Sequence, residues 1–109
     1  MPGFVGILHV DLHLPAASSL KEKRKELRRV KAWMTKGGYA VAETEYHDLW
    51  QRAALVLSTP SQSLGEANER LEAASRRLHS DPVALVAGEA RQIVRAPELL
   101  YGTPAEEAS

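Results

Sequence analysis

Residues 4–14 alternate without a break, and that alternation limits the possible folds more than any other stretch of the chain. Phe4, Gly6, Leu8, Val10, Leu12 and Leu14 fall on one face of an extended segment, with Val5, Ile7, His9, Asp11 and His13 on the other. A side-chain period of two belongs to a strand, so this segment lies in a sheet with one buried face and one mixed face. A lone strand leaves its amides and carbonyls unpaired, so the rest of the chain must supply both further strands and an apolar cover. Pro15 ends the segment.

The cover is readable downstream. Ser19 with Glu22 three positions on forms a capping box, and Leu20, Leu27, Val30 and Met34 follow at helical spacing with Trp33 beside them. Gly37-Gly38 stops this helix. A second strand is expected over residues 39–46 and a third over 53–59. Pro60-Ser61-Gln62 forms a loop, and Ser63 with Glu66 opens a second helix. Its stripe is Leu64, Ala67, Leu71, Ala74 and Leu78; Asp81-Pro82 then breaks it, and residues 83–94 contain a fourth strand.

The order is therefore β-α-β-β-α-β, the split βαβ pattern of ferredoxin-like α+β domains. A four-stranded antiparallel sheet carries two helices on one face. Right-handed crossovers put the first and third strands in its centre. At 109 residues the chain supports one core, and residues 1–95 are read as a single domain. Residues 96–109, rich in proline and glutamate, are read as a flexible tail.

With no cysteine, disulfides and thiolate chemistry are excluded, and no apolar run approaches the ~18 residues of a membrane helix. No membrane partner and a cytoplasmic setting are expected. The formal net charge of zero conceals a segregation. Residues 21–36 hold eight bases (Lys21, Lys23, Arg24, Lys25, Arg28, Arg29, Lys31, Lys36) against Glu22 and Glu26. One basic helix on an otherwise acidic protein is the reading.

Between the second and third strands stands a dense polar and aromatic corner, Ala42-Glu43-Thr44-Glu45-Tyr46-His47-Asp48-Leu49-Trp50-Gln51-Arg52-Ala53. The two strands pair as a hairpin with Trp50 at the bend. Together with Ser19-Leu20-Lys21-Glu22-Lys23-Arg24, the segments Ala42-Glu43 and Asp48-Leu49-Trp50-Gln51-Arg52-Ala53 resemble the YlxP-like bacterial family (domain of unknown function 503). The likeness runs from about Phe4 to Val94. It implies a ferredoxin-like fold and no established activity. Genes of that family tend to neighbour those of translation-initiation and ribosome-maturation factors, which implies RNA or ribosomal components as partners.

Each candidate site has a plain structural alternative. His9, Asp11 and His13 offer metal-ligand chemistry, but neighbours along a strand are ~7 Å apart and cannot all reach one ion. They are read as the polar face of the sheet, with no metal and no cofactor expected. Lys21, Arg24, Lys25, Arg28 and Arg29 on the solvent side of the first helix are the candidates for binding phosphate or an acidic partner. Glu43, Asp48, Trp50, Gln51 and Arg52 are read as structural, Asp48 capping the turn, Trp50 filling core space and Arg52 pairing with Glu43 or Glu45. The bare sheet face lacks the aromatics that base stacking needs on its central strands, leaving only weak stacking through histidine. Its apolar end at Val5 and Ile7 points to cover by a second copy or by the tail, and a homodimer is expected.

Three functions follow in order. The first is a non-enzymatic module contacting RNA or a ribosome-associated partner through the basic helix. The second is a structural or regulatory homodimer that binds protein only. The third, and least favoured, is a small dimeric α/β-barrel enzyme with His9, His13 and His47 around a pocket between sheet and helices.

Overall fold

The unbroken alternation at the N-terminus becomes a ten-residue strand, β1 (Phe4–His13). The computed structural model, which describes residues 3–97, follows it with α1 (Leu20–Lys36), β2 (Ala40–Glu45), β3 (Arg52–Ser61), α2 (Leu64–His79) and β4 (Leu85–Arg95). The sheet order is β2-β3-β1-β4, every neighbouring pair is antiparallel, and the first and third strands are central. No described helix is long and apolar enough to cross a membrane.

Both helices start where side-chain oxygens reach orphan amides. Ser19 accepts from the N–H of Glu22 at 3.1 Å, and Ser63 accepts from that of Glu66 at 3.1 Å. The reciprocal arm of the first box lands one residue early, because the Glu22 carboxylate takes the N–H and hydroxyl of Ser18 rather than the Ser19 amide. The helix faces so fixed cover one face of the sheet. Leu8, Val10, Leu12 and Leu14 meet Leu27, Val30 and Met34 of α1 and Leu71, Ala74 and Leu78 of α2, all at most 3% exposed. Each such Leu contributes about 1.5–3 kcal/mol of burial. Packing is tight at Gly6, where a Cβ would stand 3.0 Å from Leu71 Cγ, so a larger residue there would force β1 and α2 to shift.

Several boundaries differ from the sequence reading. Strand β3 takes in Pro60 and Ser61 of the expected Pro60-Ser61-Gln62 loop, because β2 pairs with it only as far as Ser58 and leaves an open edge where a proline needs no N–H partner. Gly38, at φ +90, turns the chain before β2 and drops Tyr39 into the core. There its hydroxyl donates to the Arg70 carbonyl at 2.6 Å, and its ring lies under the Arg70 guanidinium. Strand β2 ends at Glu45, because Tyr46 takes the left-handed conformation (φ 64), an uncommon choice for a non-glycine residue. At the other end Ala96 donates its N–H to Gly3 O at 2.7 Å, so pairing continues one residue past β4. The rest of the expected tail, residues 98–109, lies outside the described residues.

The opposite face of the sheet carries no helix, and the strand register aligns its side chains in rows. Ile7 stands between Gln92 and Ser58, with Ala40 next; His9 stands between Ala90 and Val56, with Ala42 next. Val5 is flanked by Val94 and Pro60, and Asp11 by Gly88 and Ala54. The last row is Leu85, His13 and Arg52.

Candidate functional site

The basic helix does not present all its bases to solvent. At ~100° per residue, position 23 falls inside the stripe of Leu27, Val30 and Met34. Lys23 is accordingly buried, 1% exposed. Its ammonium donates to Tyr46 O at 2.5 Å and stands 3.3 Å from Glu43 Oε2. This corrects the expected pairing of Arg52 with Glu43. Lys23 is an internal post between α1 and the hairpin corner, and Glu43 is held by Lys23, with Lys31 at 3.9 Å, rather than by Arg52.

Arg29 is engaged as well. Its guanidinium forks onto Asp81 at 2.8 and 3.0 Å and reaches Glu26 at 2.9 Å. Asp81 in turn accepts the N–H groups of Val83 and Ala84. Burial works to raise the Asp81 pKa, but the Arg29 guanidinium and those two amides outweigh it and hold the carboxyl below its ordinary range. Asp81 raises the Arg29 pKa above its ordinary value in return. Arg29 therefore ties α1 to the α2–β4 connection, and its place in the expected binding set is taken away by its own carboxylates.

What remains is narrower and better placed. Lys21, Arg24, Lys25 and Arg28 are exposed and carry no ion pair among the described residues. Their spacing puts them on one stripe, roughly opposite the buried face of α1. The stripe points away from the sheet; Glu22 lies near Lys25 and shares a concavity with it, while no carboxylate is ion-paired to Lys21, Arg24 or Arg28 among the described residues. Lys36, at the end of the helix, is exposed and likewise unpaired among the described residues.

The structure adds bases that sequence reasoning passed over. Arg76 and Arg77, in the last turn of α2, are exposed. The Arg77 guanidinium stacks 4.7 Å over the ring of Trp33 on α1, above a shallow groove lined by Trp33, Gly37, Tyr39, Ala73, Ala74 and Arg77. The signal was the adjacent arginine pair just after Ser75. Helical spacing from the Leu71–Ala74–Leu78 stripe would have turned both outward. The outer layer of two helices is thus cationic at several separated points with one half-buried indole among them.

The corner differs from its expected role. Trp50 is 52% exposed and Leu49 46%, so Trp50 does not fill core space. The corner is held by other groups. Gln51 donates its amide to the carbonyls of Pro15 and Ala17, and its own carbonyl accepts from Leu14 N–H at 2.9 Å. Arg52 stacks 4.0 Å over the Tyr46 ring and donates to its hydroxyl at 3.1 Å, in place of a carboxylate. No contact of Asp48 supports a capping role among the described residues; the residue is exposed and lines, with Leu49 to Arg52, an open concavity of about 520 Å³.

The remaining candidates lie on the bare sheet face. His9 and Asp11 are half-buried there and His13 is exposed, while one Asp11 oxygen, Oδ1, is covered and unpaired. Among the described residues no three His, Asp or Glu side chains converge to hold a metal ion. His9 and His13 point away from the helices, and the space between sheet and helices is filled by core side chains. The enclosed pocket that an enzyme reading needs around these histidines is not formed there.

Comparisons with known proteins bear on the family. A family model described as "Protein of unknown function (DUF503)" matches residues 5–93. Among curated proteins none matches. A solved structure, a putative antibiotic biosynthesis monooxygenase from Bacillus cereus, superposes with a TM-score of 0.45 at 8% identity, covering 88% of this chain and 94% of that one.

Proposed function

The chain belongs to the DUF503 family of proteins of unknown function, and from that premise we propose that it is a non-enzymatic module that binds the phosphate backbone of RNA through its helical layer. The observation that carries this reading is the stripe of Lys21, Arg24, Lys25 and Arg28, exposed and unpaired among the described residues, on the side of α1 opposite the core. Exposed cations without a salt-bridge partner are what a polyanion displaces salt to reach, and of the four only Lys25 has a carboxylate, Glu22, acting on it among the described residues. Arg76 and Arg77 extend the same surface onto α2, and the Arg77–Trp33 stack offers a planar partner beside it. The bare sheet face takes no part, since it has no run of cations and its rings are the imidazoles of His9 and His13, weak platforms for stacking.

The test is retention of a single-stranded RNA on a filter as salt is raised, for the natural chain and for Lys21→Glu, Arg24→Glu, Arg28→Glu combined. Three or four phosphate contacts give a slope of about −2 to −3 in log affinity against log salt. The triple variant should lose retention while keeping its circular dichroism. Equal retention by the triple variant, or none by the natural chain at low salt, removes the proposal. Binding to protein alone would be indifferent to salt, which separates the structural-homodimer reading from this one.

A further inference from the structure

The bare sheet face is not built for water. An antiparallel sheet with one wet side alternates apolar-in with polar-out. Here the outward positions of the two central strands include Val5, Ile7, Ala54 and Val56, and those of the edge strands include Ala42 and Ala90. Formal charge on the register rows is confined to one end, at Asp11, Glu45 and Arg52. Charged residues make up 26% of the whole chain, so their absence from the middle of an outer face is a departure that needs a cause. The exposed Leu85 closes the same face beside His13.

From this we infer that the face is covered by a second copy of the chain, packed sheet against sheet about a two-fold axis. Three features select that occupant. Small residues (Ala40, Ala42, Ala54, Ser58, Gly88 and Ala90) flank the larger Ile7, His9 and Val56, and the resulting broad face suits another sheet at the ~10 Å spacing of stacked sheets better than a groove-seeking helix or peptide. Its centre is free of charge, so two copies meet without repulsion, while the charged end carries both signs and is complementary to itself. Strand spacing and rise give the face on the order of 600 Å², close to the ~800 Å² per partner of a standard interface before the exposed Leu85 edge is added. A nucleic acid finds no run of cations here and only the imidazoles of His9 and His13 to stack on. The assignment is independent of the RNA reading. It also leaves both α1 stripes on the outer surfaces of the pair, facing opposite ways.

Light scattering of the full-length protein tests it, with arginines introduced where the single chain accommodates them. Ala42 and Ala90 are exposed on the two edge strands, so Ala42→Arg and Ala90→Arg leave the fold intact while placing an unpaired cation against the second copy. The natural chain should run at twice the 12.0 kDa chain mass, and each variant should halve it with unchanged circular dichroism. Asn68→Arg, exposed on α2, should leave the mass doubled. A natural chain at monomer mass overturns the inference. So does a dimer that survives both arginines, because its interface would lie elsewhere.

Discussion

Lys23 donates its ammonium to the carbonyl of Tyr46 at 2.5 Å, joining the buried face of α1 to the left-handed residue that ends β2. The pair explains how a tyrosine is kept at positive φ in a corner without glycine. The turn directs the Tyr46 carbonyl to a cation that is itself shielded from water, and Glu43 neutralises that cation from the neighbouring strand. The basic helix and the polar corner are therefore one structural unit.

Removing the cation should be costly. Lys23→Met keeps the apolar stem but strands the Glu43 carboxylate and the Tyr46 carbonyl. The expected loss is about 3 kcal/mol in urea unfolding. Adding Glu43→Leu should recover part of it, because the stranded charge goes too. A single Lys23→Met variant within about 0.5 kcal/mol of the natural chain would show that the ammonium is not holding the corner.

Neighbouring arginines on α1 should behave in opposite ways. Arg28→Glu alters an exposed side chain with no ion pair among the described residues, so stability should hold while RNA retention falls. Arg29→Glu sets a carboxylate against Asp81 and Glu26, so stability should fall first. Paired urea and filter-binding measurements on the two variants separate these outcomes. The same response from both would mean that the ion-pair pattern does not sort the helix into anchoring and binding bases.

Asp81 also sets an acid limb. Its folded pKa lies below the ordinary 3.8, so the folded state holds that proton more weakly than the unfolded one. Its stabilising contribution is complete above the ordinary value and disappears as pH falls through the folded one. Glu89 acts in the same sense, lowered first by the Ser75 hydroxyl and then by Arg91. Asp81→Asn should lower stability at neutral pH and flatten its decline below about pH 4. An unchanged acid slope in urea titrations would count against the Arg29–Asp81 fork.

The fold was legible because its signals are periodic. Period two over residues 4–14, two serine-led caps and two helical stripes determine the element order with little ambiguity. The site was legible only in part, because charge counting ignores azimuth and long-range pairing. Lys23 counts among the bases of the helix, yet its spacing from Leu27 and Val30 places it on the buried face. The partner of Arg29 is 52 residues away, and nothing local in either segment announces it. The corner misled for the opposite reason. An indole beside apolar strands suggests core, yet the loop swings it out and assigns the fastening to glutamine.

That reversal gives the last prediction. Trp50 is 52% exposed, so Trp50→Ala should cost no more than about 0.5–1 kcal/mol. A core indole would cost about 3–5 kcal/mol. Gln51, though exposed, fastens the bend to two carbonyls on the β1–α1 connection, and Gln51→Ala should cost about 1 kcal/mol or more. The smaller, polar neighbour should therefore match or outrank the tryptophan. Fluorescence gives a second readout, since a Trp33→Phe variant leaves Trp50 as the sole indole and should be readily quenched by iodide. Half-buried Trp33, capped by Arg77, should be quenched less in a Trp50→Phe variant. A large stability loss at Trp50 with slow quenching would mean that the indole is covered in solution, by a second copy or another partner seated on the corner.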